Sequence, residues 1–200
     1  MKNKNLSFLL IILFIQSCSS ISYELKPNEL KFNPYRNGDL LIFKDIHNNL
    51  DTVEILTTEI YTNGVDPLST SVYGQTLIVT ANYSSPKFGS DEKIVGEYFS
   101  INKPSDYIYF HFKFQLKQAK FYGNSLKFTE YRALKKLNFL SRGYTFKDVV
   151  KIESDNNEYA KEKNFINYLY WSKEWGYVKA VLADNEWVLI KRIRKNNSNR

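Results

Sequence analysis

Apolar and polar residues alternate most strictly over 107–117. Ile108, Phe110, Phe112, Phe114 and Leu116 occupy one parity; Tyr107, Tyr109, His111, Lys113, Gln115 and Lys117 occupy the other. This alternation predicts a strand with one buried face and one wet face. No helix would gather those five apolar residues on one side. Upstream, the apolar run 40–46 is bounded by Asn37-Gly38 and His47-Asn48-Asn49. Next, 52–61 is rich in β-branched residues, with Val53, Ile55 and Thr57 alternating against Thr52, Glu54 and Leu56. A hairpin through the Asn-rich turn is expected.

Further strands are expected over 75–83 and 94–101, separated by loops at Asn63-Gly64, at Asp66-Pro67 and around Pro86 and Gly89. Past the alternating strand, Gly123-Asn124 should turn the chain into a return strand carrying Leu126 and Phe128. The stretch 130–140 fits two elements. Ala133, Leu134, Leu137 and Leu140 suit a short helix, whereas Leu137-Asn138-Phe139-Leu140 suits a strand entering a Ser141-Arg142-Gly143 turn. A strand at its end is preferred, because 144–152 continues as one. After a polar stretch, 154–163, come strands over 165–171, 176–182 and 187–193, joined at Lys173-Glu174-Trp175 and Asp184-Asn185-Glu186. Nothing alternates helix with strand. The pattern is that of an all-β domain, a mostly antiparallel sandwich or partly open barrel.

The N-terminus follows a different logic. Lys2 and Lys4 precede an apolar run over 6–15 that only Ser7 interrupts. A membrane span needs about twenty apolar residues, so this shorter run with a basic start reads as a secretory signal peptide forming a helix. Its end, Ile15-Gln16-Ser17-Cys18, resembles a bacterial lipobox. The resemblance implies diacylglycerol on the Cys18 sulfur, cleavage after Ser17 and acylation of the new amino terminus. The anchoring partner would be membrane lipid, each buried methylene contributing about 0.8 kcal/mol.

On this reading 1–17 is the signal peptide, 18–37 the lipidated cysteine and a tether, 38–193 a single β domain and 194–200 a basic tail. Leu25, Leu30, Phe32 and Tyr35 leave open that the tether packs on the body. Ser19 in place of an aspartate, by resemblance to enterobacterial sorting, favours the outer membrane. The lack of an acidic run over 19–24 favours its periplasmic face.

A second resemblance lies in the last third. Phe146-Lys147-Asp148-Val149-Val150-Lys151-Ile152 is followed by Tyr168-Leu169-Tyr170-Trp171-Ser172-Lys173-Glu174-Trp175-Gly176-Tyr177-Val178-Lys179 and Asp184-Asn185-Glu186-Trp187-Val188-Leu189. This resembles the closing meander of uncharacterised lipoproteins of the Bacteroidota. It implies a compartment and a fold, with no activity or catalytic residue to carry over.

Charge and cysteine narrow the functional classes. Of 28 basic residues, Lys2 and Lys4 leave with the signal, and Lys191, Arg192, Arg194, Lys195 and Arg200 fall in the last ten positions. The body over 18–190 is therefore left with 21 of each sign. A neutral body with a short basic end lacks the patch that nucleic-acid binding needs. Cys18 is the single cysteine, so the body is held by packing without disulfides.

Candidate chemistry is sparse. Ser84-Ser85-Pro86-Lys87 and Ser154-Asp155-Asn156 match two motifs of penicillin-binding enzymes, but Lys-Thr-Gly is absent and Pro86 sits in a loop. His47 falls in a predicted turn. His111 lies on the wet face between Tyr109 and Lys113, a grouping suited to acid–base work only if enclosed. Asp155, Asn157 and Glu158 make part of a calcium-loop pattern, with Ala160 where its glycine belongs. Two separated histidines and no free thiolate give no metal site.

Trp171, Trp175 and Trp187 remain as possible partner contacts, Trp175 above all, because it falls in a turn. The expectation is a lipid-anchored, non-catalytic interaction module with no cofactor, meeting an envelope protein partner and no nucleic acid. The alternative is a periplasmic carrier of a lipid or other apolar ligand in an open barrel.

Overall fold

The computed structural model describes residues 21–63, 72–84, 93–117, 119–121, 123, 125–141, 143–155 and 162–195. Cys18 and the expected signal helix lie outside them. The described chain is nearly all β, a large curled antiparallel sheet forming a half-barrel. Its strands are β1 (Ile21–Tyr23), β2 (Leu40–Asp45), β3 (Leu50–Asn63), β4 (Val72–Ser84), β5 (Lys93–Lys103), β6 (Tyr109–Phe112) and β9 (Ser125–Lys127) in the first part of the chain. The second part adds β10 (Lys136–Ser141), β11 (Tyr144–Glu153), β12 (Tyr168–Ser172), β13 (Gly176–Val181) and β14 (Glu186–Ile193). A separate small hairpin pairs β7 (Gln115–Leu116) with β8 (Ala119–Lys120). Two short helices, α1 (Pro27–Leu30) and α2 (Phe128–Ala133), complete the elements.

Strand order is β10-β11-β12-β13-β14-β2-β3-β4-β5-β6-β9, with β1 added parallel to the start of β4. Two sequential meanders thus meet at one seam, where the last strand, β14, pairs with β2.

The curl is visible in which side chains touch. Trp171 of β12 packs against Phe99 of β5 and Phe112 of β6, and Tyr177 of β13 against Phe112, with ring centroids 5.7–6.3 Å apart. Four strands separate β13 from β5 along the sheet, so these contacts form only because the sheet bends its inner face onto itself. Tyr177 locks the two sides further. Its hydroxyl donates to the Tyr98 carbonyl and accepts from the Lys113 N–H, both at 3.0 Å. The gap between the edge strands β9 and β10 is covered by α2, whose Tyr131 packs on Phe110 and Trp171, and by Phe32. The interior is filled with aromatic rings.

The alternating stretch keeps its expected burial: Ile108, Phe110, Phe112, Phe114 and Leu116 are all buried, and Tyr107 and Lys113 are exposed. It is not one strand, however. The ladder stops at Phe112 because the Lys113 N–H turns to the Tyr98 carbonyl and the Tyr177 hydroxyl. Gln115-Leu116 then pairs with Ala119-Lys120, and Asp51 fastens this hairpin by accepting from the Lys117 N–H at 2.6 Å. Over 130–140 both expected elements occur in turn, since α2 ends at Ala133 and β10 begins at Lys136.

The tether expected over 18–37 is corrected from Ile21 onward. Those residues belong to the body. Beyond β1, Lys103 donates to the Glu24 carbonyl at 2.9 Å and to Glu29 at 3.0 Å, and Leu25 and Tyr35 are buried. Arg192 closes the same segment, reaching the Asp39 carboxylate, the Pro34 carbonyl and, at 3.2 Å, the Glu174 carbonyl. The Tyr177 N–H donates to the Tyr35 hydroxyl at 2.9 Å. Gly176 permits this approach: its φ is +78°, and a Cβ there would run into the Tyr35 ring. A strand-free polar tether carries no such partners, and here the burial of Leu25 and Tyr35, with Leu30 and Phe32 packed partly buried on the core, outweighs the two prolines.

Candidate functional site

An open cleft of about 410 Å³ lies beside the end of β6. Tyr83 of β4, Ile94 and Glu97 of β5, then Lys113, Phe114 and Gln115 line one part of it. Lys120, Phe121 and Gly123 line the rest. A bulge shapes it. The β4–β5 register slips between Thr80↔Glu97 and Val79↔Phe99, leaving Tyr98 unopposed. The extra residue sends Tyr98 into the interior and keeps Glu97 half-buried at the cleft. Gly96 lets the Tyr83 ring lie across β5, since a Cβ there would meet the Tyr83 hydroxyl.

Glu97 is the most constrained group here. Lys113 Nζ donates to one carboxylate oxygen at 2.6 Å and Ser100 Oγ to the other at 2.6 Å. Burial pushes the carboxyl up, but these two donors outweigh it and hold Glu97 below its usual range. His111 is shifted down because burial disfavours its cation; the Glu97 charge opposes that shift and Lys113 adds to it. The cleft therefore presents a Glu97 carboxylate held by Lys113 and Ser100. Burial likewise raises Tyr83, with the Glu97 charge adding to it. The buried Tyr98 hydroxyl, whose ring lies 6.3 Å from Tyr83 and 6.0 Å from Phe114, has no hydrogen-bond partner among the described residues.

This arrangement suits binding better than proton transfer. A carboxylate already paired to an ammonium and a hydroxyl is a poor base at neutral pH, while fixed opposite charges on an apolar floor set the orientation of a bound group. The grouping of Tyr109, His111 and Lys113 expected from one parity is real as a face. Its functional partner, Glu97, comes from the neighbouring strand. No sequence signal reports that register, so Glu97 and Tyr83 escaped the reading.

The tryptophans are placed otherwise than expected. Trp171 and Trp187 are buried, at 1% and 3% exposure, and cannot serve as surface contacts. Trp171 belongs to the interior stack, because alternation on β12 turns it inward. Trp175 does fall in the β12–β13 turn, yet it is half-buried, lying against Phe146 at 5.6 Å and Tyr144 at 6.0 Å.

A smaller polar cleft of about 230 Å³ gathers exposed His47 with Asp45, Asn49, Asp184 and Asn185. There Asp45 caps the β2–β3 turn, accepting from the Asn49 N–H at 2.7 Å and its Nδ2 at 2.9 Å. Burial raises the Asp45 carboxyl, and the Asn49 and Asn185 donors bring it net below its usual range. Ser84, first residue of the Ser-x-x-Lys match, ends β4 instead of starting a helix, and its hydroxyl donates to Asp51 at 2.8 Å. Asp155 is exposed, while Asn156, Asn157, Glu158 and Ala160 lie outside the described residues, as do Ser85, Pro86 and Lys87.

Among the described residues no group of three or more His, Cys, Asp and Glu side chains could hold a metal ion. No described helix is long and apolar enough to cross a membrane. No protein-family model matches the chain, and neither does any curated protein or solved structure. What the cleft does must be argued from its chemistry.

Proposed function

We propose that this chain is a lipid-anchored cell-envelope protein whose body is a non-catalytic binding module. Its anchor is an acylated Cys18, and it sits at the periplasmic face of the outer membrane. The body meets an envelope protein partner through the cleft beside Glu97 and Lys113. The observation that carries the module reading is the filled interior. A carrier needs apolar side chains around a hollow. Here Phe99, Phe110, Phe112, Trp171 and Tyr177 occupy that space against one another, at the close packing of a core.

The curled, open sheet is what a carrier would also use, and one measurement separates the two. Native mass spectrometry of the mature protein, extracted from membranes in mild detergent, should show no stoichiometric lipid beyond that covalently on Cys18. A tightly held second lipid would make the chain a carrier. For the module, a photo-crosslinking residue at Gln115 in intact cells should join a discrete envelope protein. The same residue at Val95, exposed and outside the cleft, should not. Equal crosslinking at both positions would remove the cleft as the contact site.

A further inference from the structure

We infer that the end of the half-barrel from which the N-terminal segment emerges lies against the head groups of the anchoring bilayer, held there by exposed tyrosines. The inference rests on the proposed anchor at Cys18. Cys18 is three residue steps from Ile21, the first described residue and the start of β1. An extended chain spans at most about 3.6 Å per residue, so the body can stand off only on the order of 11 Å from the acylated sulfur. β1 itself is paired to β4, and Lys103 holds the residues just after it. The body cannot swing on a long leash.

Strand directions define what shares that end. Asn63 at the end of β3, Gly74 near the start of β4 and Lys103 at the end of β5 all lie there, through the pairs Asn63↔Gly74 and Gln75↔Lys103. So do the segment before β6, the β10–β11 turn and the β12–β13 turn, by the antiparallel pairings that follow. The exposed aromatic residues among the described residues are Tyr61, Tyr107 and Tyr144, and every one is at this end. Half-buried Trp175 lies beside Tyr144, and exposed Ile21 and Ile60 add aliphatic surface.

Exposed aliphatic residues alone would not choose an end, since Ile46, Leu50 and Val95 are exposed at the other. Phenol rings do, because Tyr and Trp favour the head-group zone where an apolar ring and a polar tip are both satisfied. The opposite end instead carries the Asp45, Asn49 and Asn185 hydrogen-bonding group.

Charge at the anchored end is mixed. Lys103 is paired with Glu29 at 3.0 Å, the Tyr61 hydroxyl donates to Glu59, and Lys127 lies over the Tyr107 ring at 5.6 Å. Arg194 and Lys195 follow the end of β14 and add positive charge at this end through the Ile193↔Leu40 pair. Contact is therefore apolar and phenolic with a basic margin that anionic lipid strengthens.

The test uses the full processed chain in phosphatidylcholine vesicles. Cys18 is the single native cysteine, so Tyr61→Cys, Tyr107→Cys, Tyr144→Cys, Leu50→Cys and Val95→Cys each give one labelling site once Cys18 is acylated. A fluorophore at the three tyrosine positions should be quenched several-fold more by head-group nitroxide lipids than one at Leu50 or Val95. It should also be shielded from aqueous iodide, and the contrast with Leu50 and Val95 should persist at high salt. Mass spectrometry of the N-terminal peptide reports the anchor separately. Acylated Cys18 with equal quenching at all five positions overturns the inference and leaves the anchor standing. An unmodified Cys18 overturns both.

Discussion

Two groups of aromatic side chains sit on opposite faces of the one sheet, meeting only at β12, and differ in what they pack against. Inside, Phe99, Phe110, Phe112, Trp171 and Tyr177 are at most 1% exposed and touch across the curl. Outside, Phe139 packs on Phe146 at 5.3 Å and on Tyr170 at 5.9 Å, with Tyr144 and Trp175 at its margin. Tyr170 neighbours Trp171 in sequence, and alternation alone sends one ring out and the other in. On β11 a bulge does the sorting. Between Leu137 and Phe139 the partner strand spends an extra residue, and Asp148 there takes a φ of +51°. Ring content does not mark a core; register does.

That contrast can be broken most forcefully from within. Phe112→Ala should cost about 3–5 kcal/mol, the range for a fully buried phenylalanine, read from the denaturant midpoint. A cost near that of an outer-face change would mean the interior is loosely filled. Arg192→Met comes next. It leaves the Asp39 carboxylate buried without its cation, at about 3 kcal/mol, and should release 21–39 to proteolysis ahead of global unfolding. Trp175→Ala should cost only about 1 kcal/mol, in line with edge-to-face aromatic pairs, and should leave the near-ultraviolet signal of the interior unchanged.

The smallest effect comes from His111, next to Phe110 and Phe112 in sequence but on the opposite face of β6. Its folded proton affinity is below that of the unfolded chain, so the unfolded state binds more protons as pH drops. Stability should therefore decline as pH falls through about 6.5, the unfolded value, toward the lower folded one. His111→Gln should flatten that slope in denaturant titrations. Glu97 acts lower on the scale, contributing stability that is lost as pH falls below the ordinary carboxylate range.

Much of the fold was legible because it is written in local pattern. Period-two alternation gave the buried parity of 107–117, and Asn or Gly turns such as His47-Asn48-Asn49 gave the hairpins. Legibility failed where long-range partners decide. The Lys113 N–H is shared between β5 and Tyr177, 64 residues away, and Arg192 recruits Pro34 and Asp39 across more than 150. The cleft was illegible for the same reason. Glu97 and Lys113 read as ordinary surface charges until β5 and β6 are placed side by side. Trp175 looked exposed because its turn was visible and the Phe146 ring beneath it was not.

The seam between β14 and β2 also governs the order in which the molecule can come into being. Synthesis delivers β2 early and β14 last, about 140 residues later. Until then the first meander has a bare edge at β2 and the second does not exist. The interior cannot close either, because Trp171 and Tyr177 belong to the late half. A nascent chain of this kind gains little from folding as it emerges, and its unpaired edge invites pairing with other chains. Such a topology favours a polypeptide kept unfolded until its synthesis ends, when the final strand slots beside the first and the sheet is completed at once.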